Sequence, residues 1–195
     1  MNRYLFIYKP YRVLSQFTSE SDKKCLKDFF SVPSNAYPVG RLDYDSEGLL
    51  IITDDKKLNH LLLDPRRGHK REYFVQVEGT PSTYQISMLE KGVGISIDGK
   101  KYLTMPCEVS VLDNPPDVPE RFPPIRVRKT VPDSWLRLIL KEGKNRQVRK
   151  MTDAVGLPTL RLIRWKIENL SVKNLHPGDM MEITKKDLYN LLHLK

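Results

Sequence analysis

The sequence predicts an α+β fold, and three observations carry that expectation. Its 195 residues are enough to bury a core in one domain, organised as two lobes around a cleft. Seven apolar or alternating runs bounded by turns read as short strands. Three stretches of helical spacing lie among them, and this mixed order points to an α+β protein. There is no internal repeat and no sustained heptad pattern.

Taken in order, residues 4–8 (YLFIY) and 49–53 (LLIIT) are continuous apolar runs of strand length. Residues 56–63 follow Asp54 and Asp55, both helix-capping types, and form the first predicted helix. Residues 73–78 alternate as a strand. Ser82 caps a predicted helix over 83–91. Strands are predicted at 93–97, 107–112 and 135–141. The third helix, 146–155, follows Asn145 and stops at Gly156, and a strand at 160–167 follows. Residues 113–124, DNPPDVPERFPP, hold five prolines and read as a loop or extended arm.

Composition narrows the function. The two cysteines, Cys25 and Cys107, and four histidines form no metal-ligand spacing and no disulfide framework. Each Cys reads as a structural thiol, the compartment as reducing, and no metal or cofactor is expected. The N-terminus has no apolar segment long enough for a signal peptide or membrane span, so a cytoplasmic protein is expected. The net charge of +9 is uneven: residues 121–164 hold twelve Lys or Arg against three acids, and the remainder is neutral. With Phe122, Trp135 and Trp165 at or beside it, this segment has the footprint of a phosphate-backbone contact. A solvated basic face is the plainer reading. The third predicted helix sharpens the point. Val148, Met151, Thr152 and Val155 make an inward stripe, while Arg146, Arg149 and Lys150 lie off it. Gly143, Lys144 and Asn145 precede its N-terminus, where backbone N–H groups attract anions.

Residues 40–55, GRLDYDSEGLLIITDD, crowd acids into a short stretch. Counted from Asp43, a calcium loop would use Asp45, Glu47, Gly48 and Asp54 at its later places, two of them off-type. The template also needs a helix leading in, and Pro33, Pro38 and Gly40 forbid one. A glycosidase acid pair is a second possibility. Asp43 and Asp45, two residues apart on a short stretch, would be an awkward pair to hold one bond between them.

GRLDYDSEGLL, REYFVQVEG and KEGKNRQVRKMTDAVGLPTLRLIRW, in that order, resemble the motifs of the RNA pseudouridine synthases, in the branch named for the small-subunit rRNA enzyme A. The resemblance covers about residues 4–165. It implies a mixed, largely antiparallel sheet with flanking helices and a central catalytic cleft. Many of these enzymes carry a leading S4-type RNA-binding domain. Here YLFIYKPYRVLSQF, similar to the catalytic domain's opening, begins almost at Met1, so one catalytic domain over 1–195 without that module is expected. RFPPIRVRKTVPDSWLRL resembles the E-type enzymes of the large ribosomal subunit.

The resemblance implies an isomerase that converts a specific uridine of large-subunit ribosomal RNA to pseudouridine, as a monomer and without a cofactor. Asp43 matches the catalytic aspartate, acting as nucleophile at C1′ or as base on the ribose. Arg149 matches the arginine that pairs with it, and Tyr73 the tyrosine against the target uracil. Arg41 matches the residue that enters the stack where the flipped base leaves. Arg71, with Lys70 beside it, stands where the family usually has Lys, and a guanidinium does not readily give up a proton. Asp45 and Glu47 match no catalytic position and read as turn and surface groups. Arg126, Arg128, Lys129, Lys144, Arg146 and Lys150 are the remaining RNA-binding candidates. A non-catalytic RNA-binding protein would share the basic segment but would gain nothing from a carboxylate facing phosphates.

Overall fold

The computed structural model describes residues 2–125 and 130–195. The candidates Arg126, Arg128 and Lys129 lie outside the described residues. The chain divides into two compact units, one of residues 1–69 and 163–195, the other of residues 70–162.

The first unit starts with β1 (Tyr4–Lys9), buried along its whole length. After β2 (Tyr37–Pro38) comes β3 (Glu47–Thr53), equally buried. A continuous apolar run is what a strand covered on both faces requires, which is why neither shows alternation. β1 and β3 pair antiparallel, with Lys9 opposite Gly48 and Tyr4 opposite Thr53, and β2 pairs antiparallel with the end of β3. α1 (Lys56–Leu63) begins at Asp55, whose carboxylate accepts from the Lys57 amide. That carboxylate also accepts from the hydroxyls of Tyr4 and Tyr189. The core gathers Leu5, Ile7, Val13, Leu26, Phe30, Leu50 and Ile52.

In the second unit β4 (Arg71–Glu78) alternates as its sequence requires: Tyr73, Val75 and Val77 are buried while Phe74, Gln76 and Glu78 are not. α2 (Thr83–Lys91) opens with a reciprocal Ser82–Gln85 capping box. β5 (Gly94–Ile97) and β6 (Lys100–Leu103) form a hairpin turned by Asp98 and Gly99, both at positive φ. β7 (Glu108–Leu112), β8 (Asp133–Leu140) and β4 pair antiparallel in that spatial order. α3 (Gln147–Ala154) buries Val148, Met151 and Thr152, the stripe read from the sequence, on a core that includes Tyr73, Val75, Leu136 and Leu138.

β9 (Thr159–Ile167) returns the chain to the first unit, where Glu47 and Gly48 pair in parallel with Ile163 and Arg164. β10 (Leu170–Ser171) folds back on β9. β11 (Met180–Glu182) pairs antiparallel with β1, and α4 (Lys185–Leu191) follows. The architecture is therefore α+β, its strands mixed but mostly antiparallel, as the sequence predicts.

The Ser46 amide donates to the Asp43 carbonyl at 3.1 Å, closing a turn that holds both Asp43 and Asp45. Two expectations need correction. The predicted 146–155 helix begins at Gln147, because Arg146 is its cap residue in the left-handed region at φ 53°. The basic segment does not present all of its charge to solvent. Arg161 and Arg164 are each only 6% exposed, and Arg137 makes a two-pronged pair with Glu72 at 2.9 and 3.0 Å. Of the aromatic rings beside it, Trp135 is buried and Phe122 is exposed.

Candidate active site

The Asp43 turn is fixed from both sides. On one, Ser15 Oγ donates to the Leu42 carbonyl at 2.7 Å and accepts from the Leu42 amide at 3.0 Å. The residue before Asp43 thus has both backbone polar groups held by one buried side chain. On the other, the Arg12 amide donates to the Tyr44 carbonyl at 2.8 Å, with Arg12 itself at φ 56°. Residues 9–15, which leave β1, therefore wrap the turn. Asp43 is half-buried and Arg41 is exposed.

Under the turn lies a group of buried charges. Lys9 is fully buried, and its Nζ donates to the carbonyls of Pro10 at 2.9 Å and Val13 at 2.7 Å. Burial pushes its ammonium down from 10.5 to about 7; Glu47, Asp43 and Asp45 act against that shift and Arg164 adds to it. Glu47 is 1% exposed, which overturns its reading as a surface group. An isolated buried carboxylate would be costly, so Glu47 persists through cations such as Lys9. Arg164 Nε donates to the Leu49 carbonyl at 2.8 Å. Gly48 sits at φ 103°, and a Cβ there would come within 2.3 Å of the Arg164 carbonyl oxygen. The glycine is thus required by a close strand approach, a reason unrelated to a calcium loop. No α-helix leads into the turn, and no three His, Cys, Asp or Glu side chains among the described residues come together as metal ligands.

The other candidates lie in the second unit. Tyr73 is 9% exposed, opposite Leu138 on β8. Arg71 opens β4, half-buried, and the neighbouring Lys70 pairs with Glu108 at 3.0 Å. Arg149 is half-buried in the first turn of α3, with Nη1 3.5 Å from the Thr159 carbonyl. Thr152 Oγ1 donates to the Arg149 carbonyl at 3.1 Å and shares a 2.7 Å hydrogen bond with Thr159 Oγ1, which ties α3 to the start of β9. Lys144 and Arg146 are exposed and Lys150 is half-buried. The α3 entrance is capped locally. Gln147 Oε1 accepts from the Lys144 amide, and Gln147 Nε2 donates to the buried Glu142, which also accepts from Tyr102 and the Met105 amide. The thiols are structural: Cys25 is fully buried, and burial pushes Cys107 up to about 11.

Lys9, Ser15, Glu47 and Arg164 are the supporting residues that sequence reasoning missed. Lys9 and Ser15 lie within the stretch YLFIYKPYRVLSQF, but their roles depend on where the loop after β1 goes, which no local pattern reveals.

The class of this α+β chain is given by its likeness to known proteins. Residues 3–154 match the family described as RNA pseudouridylate synthase, and the chain belongs to that family. It is 50% identical over 174 residues to the ribosomal large subunit pseudouridine synthase E of Xanthomonas axonopodis pv. citri, covering 86% of this chain and 89% of the relative. It is 32% identical over 189 residues to the ribosomal large subunit pseudouridine synthase B of Bacillus subtilis, covering 96% and 70%. A crystal structure of a pseudouridylate synthase superposes with a TM-score of 0.78 at 25% identity, covering 98% of this chain and 74% of that one. The fold is that of the pseudouridine synthases.

Proposed function

We propose that this enzyme isomerises a uridine of large-subunit ribosomal RNA to pseudouridine, with Asp43 as the reacting carboxylate. The RNA class rests on the names of its E-type and B-type relatives. The observation that carries the role of Asp43 is its fixed turn, with Leu42 held at both backbone groups by Ser15. Such constraint suits a group that must meet one atom of a flipped nucleotide.

In the reaction the N1–C1′ bond breaks, the uracil turns, and a C5–C1′ bond forms. C5 then loses its proton and N1 gains one, so the product is an isomer. Asp43 acts either as nucleophile at C1′ or as base on the ribose, and both roles need its ionised form. By resemblance Arg149 takes the place of the family's arginine partner of that aspartate, Tyr73 that of the tyrosine against the uracil, and Arg41 that of the residue that fills the stack the base vacates. Arg71 keeps the positive charge at its position without offering a neutral amine. Lys144, Arg146 and Lys150 are the proposed phosphate contacts, together with the charges of Arg126, Arg128 and Lys129.

Asp43→Asn tests this. Turnover should fall by at least about 10²–10⁴-fold, the usual contribution of such a group, while RNA affinity is unchanged or slightly better because a negative charge near phosphates is gone. Single-turnover release of tritium from C5-labelled uridine in large-subunit RNA measures the first, and filter binding the second. Residual activity within tenfold of the parent would sink the assignment.

A further inference from the structure

Phe122 is 89% exposed, the most exposed large apolar side chain among the described residues. Its surroundings are nevertheless well fixed. Arg121 Nε donates to the Pro123 carbonyl at 2.9 Å, and its Nη1 lies 3.5 Å from the Leu160 carbonyl. Arg161, almost fully buried, donates to the Pro119 carbonyl at 2.7 Å. Two arginines therefore hold the Pro-rich arm on either side of Phe122. Pro119, Pro123 and Pro124 restrict its backbone further, so little conformational entropy remains to be lost on binding. An aromatic ring kept in water on a stiffened arm gains nothing for folding, because it removes almost no apolar surface from solvent.

Residues 121–164 hold the chain's whole net positive charge in sequence, although Arg161 and Arg164 are buried and Arg137 is paired with Glu72. The partner that matches a flat apolar face beside that charge is a polyanion that also has flat apolar faces. We propose that Phe122 stacks on an unpaired nucleobase of the substrate RNA. The inference rests on the reading of RNA as substrate and goes beyond it. A phenyl ring offers no hydrogen bond, so it senses that a base is splayed out and not which base it is. Phe122 thus selects a uridine by the shape of its neighbourhood, complementing the arginine and lysine contacts to phosphate.

The test compares Phe122→Ala, Phe122→Leu and Phe122→Trp on unmodified large-subunit rRNA transcribed in vitro. The side chain is exposed, so all three should fold. Ala and Leu should weaken binding by roughly 5- to 150-fold, the range for one lost base–aromatic stack. Turnover at saturating RNA should stay near the parent's, and the slope of log affinity against log salt should not change, since no phosphate contact is removed. Trp should keep the affinity, and its added fluorescence should be quenched by RNA. Near-parental binding by the Ala variant overturns the proposal. A flattened salt slope, or loss of self-association at unchanged RNA affinity, overturns it too, giving the ring to phosphate geometry or to a protein interface. The parent's activity reports separately on the target: if it modifies small-subunit RNA instead, the large-subunit assignment fails and the same variants are compared on that RNA.

Discussion

The Asp43 turn is held directly by partners brought from elsewhere in the chain, whereas the entrance to α3 is capped first by its own neighbours Lys144, Gln147 and Glu142 and reaches Tyr102 and Met105 only through Glu142. Ser15 and Arg12 come from the loop after β1, and the charges beneath the turn come from β1, β3 and β9. At α3, Gln147 closes on Lys144 within one turn. On the roles proposed above, the difference follows from what each region has to do. A reacting carboxylate must be placed to within a fraction of an ångström, which takes several tertiary constraints. Cations that meet phosphates act over longer distances, so a locally built helix start suffices.

If this contrast is right, loosening the first region should harm chemistry and loosening the second should harm only binding. The largest effect expected is that of Ser15→Ala. It frees both backbone groups of Leu42, and a misplacement of the carboxylate by about 1 Å can cost on the order of 10²-fold in rate. Single-turnover kinetics should show a loss of about 10- to 100-fold with RNA affinity unchanged. An affinity loss without a rate loss would reverse the comparison.

Lys9→Met probes the charges beneath the turn. Folded Lys9 releases its proton near 7 and the unfolded group near 10.5. Between those values the unfolded chain binds the extra proton, so parental stability rises with pH through that window, by up to about 1.4 kcal/mol per unit. The variant should lack that slope. Urea unfolding of both proteins at pH 7 and 9 gives the difference, and parallel curves would show that Lys9 is not buried as a titrating group.

The smallest effect belongs to α3. Replacing Lys144 and Arg146 together by Gln should flatten the log–log salt dependence of RNA affinity by about 1.5 units if both touch phosphate. Turnover at saturating RNA should hardly change. A collapse of turnover would instead place these residues at the reacting base.

Much of the frame was legible. The first two predicted helices match α1 and α2 from end to end, because Asp55 and Ser82 are genuine caps. Among the elements that were missed, β6, β11 and α4 have weak apolar patterns. Residues 100–103, KKYL, follow an Asp-Gly turn that is a strong hairpin signal, but their exposure leaves no alternation to read. Likewise β11 is exposed throughout, and α4 announces itself only through Thr184 and Asp187 at its start. In the site, the reacting candidates were readable as motif positions. Glu47 was not, because its burial depends on Lys9 and on a strand far along the chain, and an acid beside a turn looks the same whether it faces water or a lysine. The basic segment was misjudged for a similar reason: a guanidinium that binds a carbonyl indoors cannot be told by composition from one that faces phosphate.

The division of the chain also sets an order for synthesis. Residues 70–162 are contiguous and leave the ribosome as one complete unit. The unit that carries Asp43 is interrupted by them. Gly48 has to wait for Arg164, β1 for β11, and Asp55, already bound to Tyr4, for Tyr189. A nascent chain therefore has the helix that bears Arg149 finished while Asp43 still lacks strands of its own unit, which closes only once residues 163–195 have joined residues 1–69.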